Sequence, residues 1–404
     1  MKNTILLGLA LSGALALAAW SASERGIRQV RLSWTDDPRT TVTVTWQTDD
    51  PATKSYVSYR QARQSRAQRV EGTSVTYQYG TGTIRHAQLT GLKPSATYAY
   101  QVIGNEREGG TSETRVFRTA PDRDTPFTFT AYGDQGVSED SKLMVQRVVS
   151  ENAAFHLHLG DLSYANTADR GKVWDDWLEI ITPLASRVAY MPSLGNHENE
   201  KLTTASPNTE RVGYVAYLAR FALPKPETRY TFDYAGARFI APNSDDFKNK
   251  EQMVWLREAL RAARSDPKVR WVIVFQHHPP YSSNVRRENN KPLIAAWEPL
   301  LDEFKVDLVL AGHNHNYERT LPMRDGQATH TDAKTSARGA GTVYVISGGG
   351  GKGLYDFVPE KPVWCAAREK THNFLRIKVD GQALTVTALR RDGSTIEQFA
   401  IEAR

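Results

Sequence analysis

A single cysteine, Cys365, stands among 404 residues, so no intramolecular disulfide can form. An exported chain of this size buries enough core to hold together without one. No Asn-x-Ser/Thr triplet occurs either, so no N-glycosylated surface is expected. Positive charge exceeds negative only modestly, with 51 Lys and Arg against 45 Asp and Glu and a net charge of +6. The basic residues form no dense run, so no nucleic-acid partner is expected, although the excess would help gather small anions.

The chain does have an apolar stretch from Ile5 to Ala19, preceded by Lys2 and followed by Ser21-Ala22-Ser23. This is the layout of a secretory signal peptide over residues 1–23, cleaved between Ala18 and Ser23. The rival reading is a membrane anchor, since the run is only slightly short of a spanning helix. Cleavage leaves no stable anchor and a secreted or periplasmic protein. A hydrophobic content of 40% is that of a globular protein, and the length favours two domains.

Residues 26–121 read as an all-β sandwich. Val42, Val44 and Trp46 alternate with Thr41, Thr43 and Thr45, as Tyr98, Tyr100 and Val102 do with their neighbours. Tyr56-Val57-Ser58-Tyr59 and Thr76-Tyr77-Gln78-Tyr79 are expected as further strands. The phrase from Leu89 to Tyr98 resembles a corner of a fibronectin type III-like domain. His86 stands alone and is expected to be structural. Ala120-Pro121-Asp122-Arg123-Asp124 reads as a linker.

From residue 122 to residue 404 the rhythm changes to strands followed by helices, the mark of an α/β domain. Phe127 to Tyr132, the run ending at Leu159, Trp271 to Phe275, Val306 to Leu310 and Val343 to Ile346 are expected strands. Leu143 to Val149, the segment around Trp174 and Trp177, and the face of Met253, Leu256, Leu260 and Ala263 are expected helices. Five strand ends carry potential metal ligands. These are Gly133-Asp134-Gln135-Gly136, Gly160-Asp161-Leu162-Ser163-Tyr164, Gly195-Asn196-His197-Glu198, Gln276-His277-His278-Pro279 and Gly312-His313-Asn314-His315. Of ten histidines, five fall within these motifs. The glycine run Gly348 to Gly351 lacks the Gly-Lys-Ser/Thr ending of a phosphate loop and is expected to border the metal site. Cys365 is expected to be an ordinary buried thiol.

In that order, Gly-Asp-x-Gly, Gly-Asp-x-x-Tyr, Gly-Asn-His-Glu, a strand ending in His-x-Pro, and Gly-His-x-His resemble the binuclear metallophosphoesterases. The tyrosine narrows the resemblance to the purple acid phosphatases. It extends to the N-terminal sandwich and to Tyr317-Glu318-Arg319-Thr320. The fold implied is a metallophosphoesterase domain of two mixed β-sheets flanked by helices, behind a fibronectin type III-like sandwich. The resemblance implies that Asp134, Tyr164 and His315 hold one metal, that Asn196, His277 and His313 hold another, and that Asp161 bridges. Two carboxylates and a phenolate suit Fe(III); two imidazoles, an amide and the shared carboxylate suit a divalent Zn, Mn or Fe(II). Four protein ligands per metal leave open positions, the condition for catalysis.

The implied activity is acid phosphatase hydrolysis of small phosphate monoesters, with His197 near the leaving-group oxygen. His278, next to a ligand on an extended chain, is expected to point away as a structural or substrate-side residue. Plant members carry further histidines after the Tyr-x-Ser segment. Here Tyr281-Ser282-Ser283 is followed by Asn284-Val285-Arg286-Arg287, so Arg286 or Arg287 would clamp phosphate or simply face solvent. Two rival functions stand: a phosphodiesterase or nucleotidase on the same scaffold, and an exported binding protein with an inactive site.

Overall fold

The computed structural model describes residues 26–403 except 50, 52–53, 78, 105–109, 203–209 and 332–333. The signal peptide expected over residues 1–23 lies outside the described residues. Eight N-terminal strands form two facing rows, the expected sandwich. One row is Arg28–Ser33, Val42–Thr48, Thr83–Leu89 and Thr73–Val75; the other is Gln68–Glu71, Tyr56–Gln61, Thr97–Ile103 and Arg115–Arg118. At the corner between Leu89 and Tyr98, the Lys93 N–H donates to the Tyr98 hydroxyl at 2.9 Å.

One local expectation fails: Thr76, Tyr77 and Tyr79 lie in no strand, the nearest ending at Val75, and Gln78 lies outside the described residues. Val42–Thr48 forms the expected strand and is buried on both faces. The pattern of apolar residues there answers to the second domain as well as to the sandwich. Arg31, Ser33, Thr43, Thr45 and His86 share one sheet face by register. That face meets the chain at 219–222: Arg31 Nε donates to Arg220 O at 3.0 Å and Ser33 Oγ to Ala222 O at 2.6 Å. His86 is structural as expected, its Nδ1 2.8 Å from Thr45 Oγ1 and its Nε2 3.2 Å from Ala219 O.

In the second domain, Phe127–Tyr132, Phe155–His158 and Ala189–Pro192 run parallel, beside the antiparallel Asn373–Val379, Ala383–Arg390 and Thr395–Glu402. Ala189–Pro192 also pairs with Arg28–Ser33, so this sheet continues into the sandwich as one eleven-stranded sheet. A second, seven-stranded sheet carries Ala237–Ala241, Trp271–Phe275, Leu308–Ala311 and Val343–Ser347 in parallel. The sheets press face to face through aromatic rings: Phe129 and Phe155 of the first each meet Phe239 of the second edge-on at 5.2 Å.

Helices cover the outer faces. Glu139–Val149 starts four residues before the expected Leu143, because Ser138 caps it by accepting the Ser141 N–H. It packs beside Arg170–Ala185. Lys250–Ser265 and Lys291–Glu303 cover the other sheet, where Leu256, Leu260 and Ala263 bury against Val272, Val274 and Ile240. The five motif-bearing loops all leave the C-terminal ends of parallel strands. Side chains from two sheets therefore meet at one edge, where open α/β sheets place their ligands.

Candidate metal centre

At that edge the backbone itself is unusual. Asp134, Asp161, Tyr164 and His313 all have positive φ, at 61°, 52°, 59° and 68°. Non-glycine residues adopt this left-handed region at a cost of order 1–3 kcal/mol each. Four such residues in one cluster mean that surrounding contacts hold side chains in directions the local chain would not choose.

The side chains so directed form two adjoining groups. In the first, the Tyr164 hydroxyl lies 3.2 Å from Asp134 Oδ1 and 3.1 Å from His315 Nε2, and the latter two atoms are 3.3 Å apart. In the second, His277 Nε2 is 3.2 Å from Asp161 Oδ2 and 3.0 Å from His313 Nδ1. Ligand atoms of Asp134, Asp161 and His277 all lie within 4.8 Å of one another, joining the groups. Asn196 Oδ1 is buried and without a hydrogen-bond partner. All seven expected ligand residues thus stand at this edge.

The donor set fits metal ions. Donors 2.0–2.1 Å from one ion in tetrahedral array are separated by roughly 3.3 Å, close to the spacings in each group. Two imidazoles are already in the right tautomer: His277 Nδ1 donates to Leu159 O at 2.8 Å and His315 Nδ1 to Gly353 O at 2.7 Å. Each then turns Nε2 inward, an arrangement common among metal-ligating histidines. An orphaned amide oxygen at Asn196 completes the fit. His313 is the exception. Arg287 Nη1, which can only donate, lies 2.8 Å from His313 Nε2, so His313 Nδ1 carries the proton as the site stands. Ligation through Nδ1 requires the other tautomer and a displaced Arg287.

Charge in the site points the same way. Burial opposes ionisation, yet His277 and His197 hold Asp161 well below the usual carboxylate range, in the carboxylate form a cation requires. Burial and the carboxylates of Asp134 and Asp161 push the Tyr164 phenol well up, so only a strong Lewis acid would ionise it.

The other expected residues surround this centre. His197 donates its backbone N–H to Asp161 Oδ1 at 2.9 Å, and its ring lies 4.2 Å from Tyr164 with Nε2 3.8 Å from Asp161 Oδ2. His278 does not point away: its ring is 4.3 Å from His313, and ligand atoms of His277, His278 and His313 lie within 4.8 Å of one another. The chain bends at residues 277–278, so strand alternation does not apply. Its Nδ1 is 3.0 Å from Ser244 Oγ, and burial lowers its pKa to about 3. Arg286 and Arg287 both lie over the Tyr355 ring, at 5.2 and 5.6 Å.

Three residues at the site were not singled out from sequence. Glu198, fully buried, accepts the N–H groups of Asp161, Leu162 and Gly195, each at 2.8 Å, and so ties two ligand loops together. Its position inside the third motif was the available signal. Tyr355 stacks on His315 at 4.1 Å, and Lys352 Nζ lies 4.4 Å above Tyr164. Both follow the glycine run, which lies against the first ligand loop as expected: Gly350 N donates to Gly133 O and Lys352 N to Asp134 O. Cys365 is a buried thiol.

Residues 27–119 match the family described as purple acid phosphatase, N-terminal domain. Residues 128–317 match the calcineurin-like phosphoesterases, and residues 341–398 the iron/zinc purple acid phosphatase-like protein C family. An uncharacterized protein of Mycobacterium tuberculosis is 34% identical over 66% of this chain, which spans 58% of that relative's length. Purple acid phosphatase 18 of Arabidopsis thaliana is 30% identical, covering 84% of this chain and 76% of its own. Among solved structures, the purple acid phosphatase PPD1 of yellow lupin seeds has the same fold, with a TM-score of 0.84 and 24% identity over 94% of this chain and 75% of that one.

Proposed function

Since the chain belongs to the purple acid phosphatase family, we propose that it is an exported metal-dependent phosphatase. It hydrolyses small phosphate monoesters at a binuclear centre behind a sandwich of residues 26–121. Asp134, Tyr164 and His315 would hold Fe(III), and Asn196, His277 and His313 a divalent Zn, Mn or Fe(II), with Asp161 shared. Bound there, the metals supply the Lewis acidity that neutralises phosphoryl oxygens and lowers the pKa of water from 15.7 toward about 7.

The chain's own residues do the rest. Glu198 fixes the distance between the Asp161 and Asn196 loops, so attack and departure occur on a rigid frame. His197, beside Tyr164 at the mouth, delivers a proton to the departing alkoxide oxygen. Arg287, once His313 carries its proton on Nε2, loses that acceptor and turns its guanidinium to the phosphate; Arg286 lies on the same ring of Tyr355 and supports it. His278, packed on His313, keeps that ligand's ring in place.

The observation that carries this reading is the convergence of seven donor side chains, four of them on left-handed backbone or beside it, with a buried unpartnered amide oxygen among them. The test is metal analysis with an absorption spectrum, alongside rates on p-nitrophenyl phosphate and bis(p-nitrophenyl) phosphate. Two metals per chain, a visible band abolished by Tyr164→Phe, and faster monoester turnover are expected. A faster diester rate would make it a phosphodiesterase, and metal uptake without hydrolysis a binding protein.

A further inference from the structure

The loop that carries Asn196 and His197 is anchored by three consecutive side chains after them. Glu198 ties it to the Asp161 loop, as above. Asn199 Nδ2 donates to Asp245 Oδ2 at 2.9 Å. Glu200 turns the other way, into the sandwich. Its side chain is 2% exposed, and the Tyr77 hydroxyl donates to its Oε2 at 2.6 Å. Trp174 Nε1 donates to its Oε1 at 3.1 Å, and Arg170 lies 3.5 Å from it.

Tyr77 is equally fixed. It is buried, and the Arg220 guanidinium stacks over it at 4.7 Å and over Trp174 at 5.0 Å. A buried hydroxyl bonded to a buried carboxylate is a strong, directional link, and it joins a residue of the sandwich to a residue four positions from a candidate metal ligand. The strand entering the same loop is held from the same side. Leu32 pairs with Ala189, and the Trp34 N–H lies 3.4 Å from Met191 Sδ. Both ends of the Asn196 loop therefore rest on the N-terminal domain, whereas among the described residues no other motif-bearing strand pairs with a strand of the sandwich.

We propose that the N-terminal sandwich is a positioning element of the metal centre, acting through Tyr77 and Glu200 on the loop of Asn196 and His197. Tyr77 and Glu200 touch no reacting atom; they fix where the Asn196 oxygen sits. This rests on the binuclear reading above. It assigns the sandwich a role inside the catalytic scaffold, and it makes the Asn196 side of the centre the side that depends on it.

The test uses the full chain and three variants: Tyr77→Phe, Glu200→Gln and Tyr100→Phe. Tyr100 is the control, because its hydroxyl also crosses between domains, to Ser186 O at 2.6 Å, but away from the loop. Zinc titration into the metal-depleted protein reads the divalent site, the visible band reads the Tyr164 side, and circular dichroism reads the fold. Tyr77→Phe and Glu200→Gln are expected to weaken zinc binding roughly 10-fold, the low end for outer partners of metal ligands, with the visible band retained. Tyr100→Phe is expected to bind zinc as the parent does. Equal zinc affinity in the parent and in folded Tyr77→Phe and Glu200→Gln overturns the inference, as does equal weakening by Tyr100→Phe. Should Tyr77→Phe fail to fold, Glu200→Gln decides alone, and its failure to fold as well would make the link a structural one and overturn the inference. A parent that takes up no metal overturns the binuclear reading itself.

Discussion

A methyl group on Gly195 would enter the space of the Asp161 carboxylate, and one on Gly312 the space of the Asp134 carboxylate. These glycines are close-approach residues: the loops must pass the ligands of neighbouring loops without side chains of their own. Gly195→Ala is therefore expected to push Asp161 off position. A displacement of about 1 Å costs on the order of 100-fold in rate, so monoester turnover should fall by that much while the circular dichroism spectrum stays unchanged. A turnover within threefold of the parent would show that the carboxylate has room to spare. At this scale the sequence was most legible. A glycine followed by Asp, Asn or His at a strand end marks the candidate ligand, and the close approach explains its neighbour. His278 was misread because alternation was carried past the end of Trp271–Phe275 into a bend. Lys352 and Tyr355 escaped because their place beside Tyr164 and His315 depends on where the glycine loop folds back, which no local pattern states.

Among elements, periodicity read well where one face alone is buried. Lys250–Ser265 is such a case, with Leu256 and Leu260 one turn apart on the second sheet. Leu260 is fully buried in the cluster between this helix and the second sheet. Leu260→Ala is expected to cost about 2–5 kcal/mol in urea unfolding while leaving metal content at its parental value. Less than 1 kcal/mol would mean the helix settles into the gap. Alternation says less where a strand has two partners: in Val42–Thr48 the residues Thr43 and Thr45 lie on the face that meets the second domain and are buried. The three antiparallel strands from Asn373 to Glu402 show the other limit. The first of them, Asn373–Val379, pairs with Phe127–Tyr132 across about 250 residues of chain, and a local pattern carries no record of that partner.

For the molecule as a whole, the joint between sandwich and second domain sets a pH response. His86 sits in it with both ring nitrogens engaged, and burial, with Arg31 and Lys225 nearby, lowers its pKa from 6.5 to about 4. The folded state thus holds this imidazole neutral while the unfolded chain protonates it near 6.5. The unfolded state binds more protons between those values, so stability rises with pH across that window and is lost as pH falls from 6.5 toward 4. A shift of that size corresponds to at most about 3 kcal/mol, less after partial solvation of the ring. His156, fully buried with its pKa lowered to about 3, acts in the same direction. His86→Gln keeps a donor and an acceptor at the joint but cannot titrate. Melting temperature measured from pH 7 to pH 4 should therefore fall less steeply for His86→Gln than for the parent, with the curves separating below about pH 6.5. Parallel curves would mean that the joint opens to water before His86 takes up its proton. Acid stability would then be limited by other buried histidines, His156 and His158 among them, and not by the contact between the two domains.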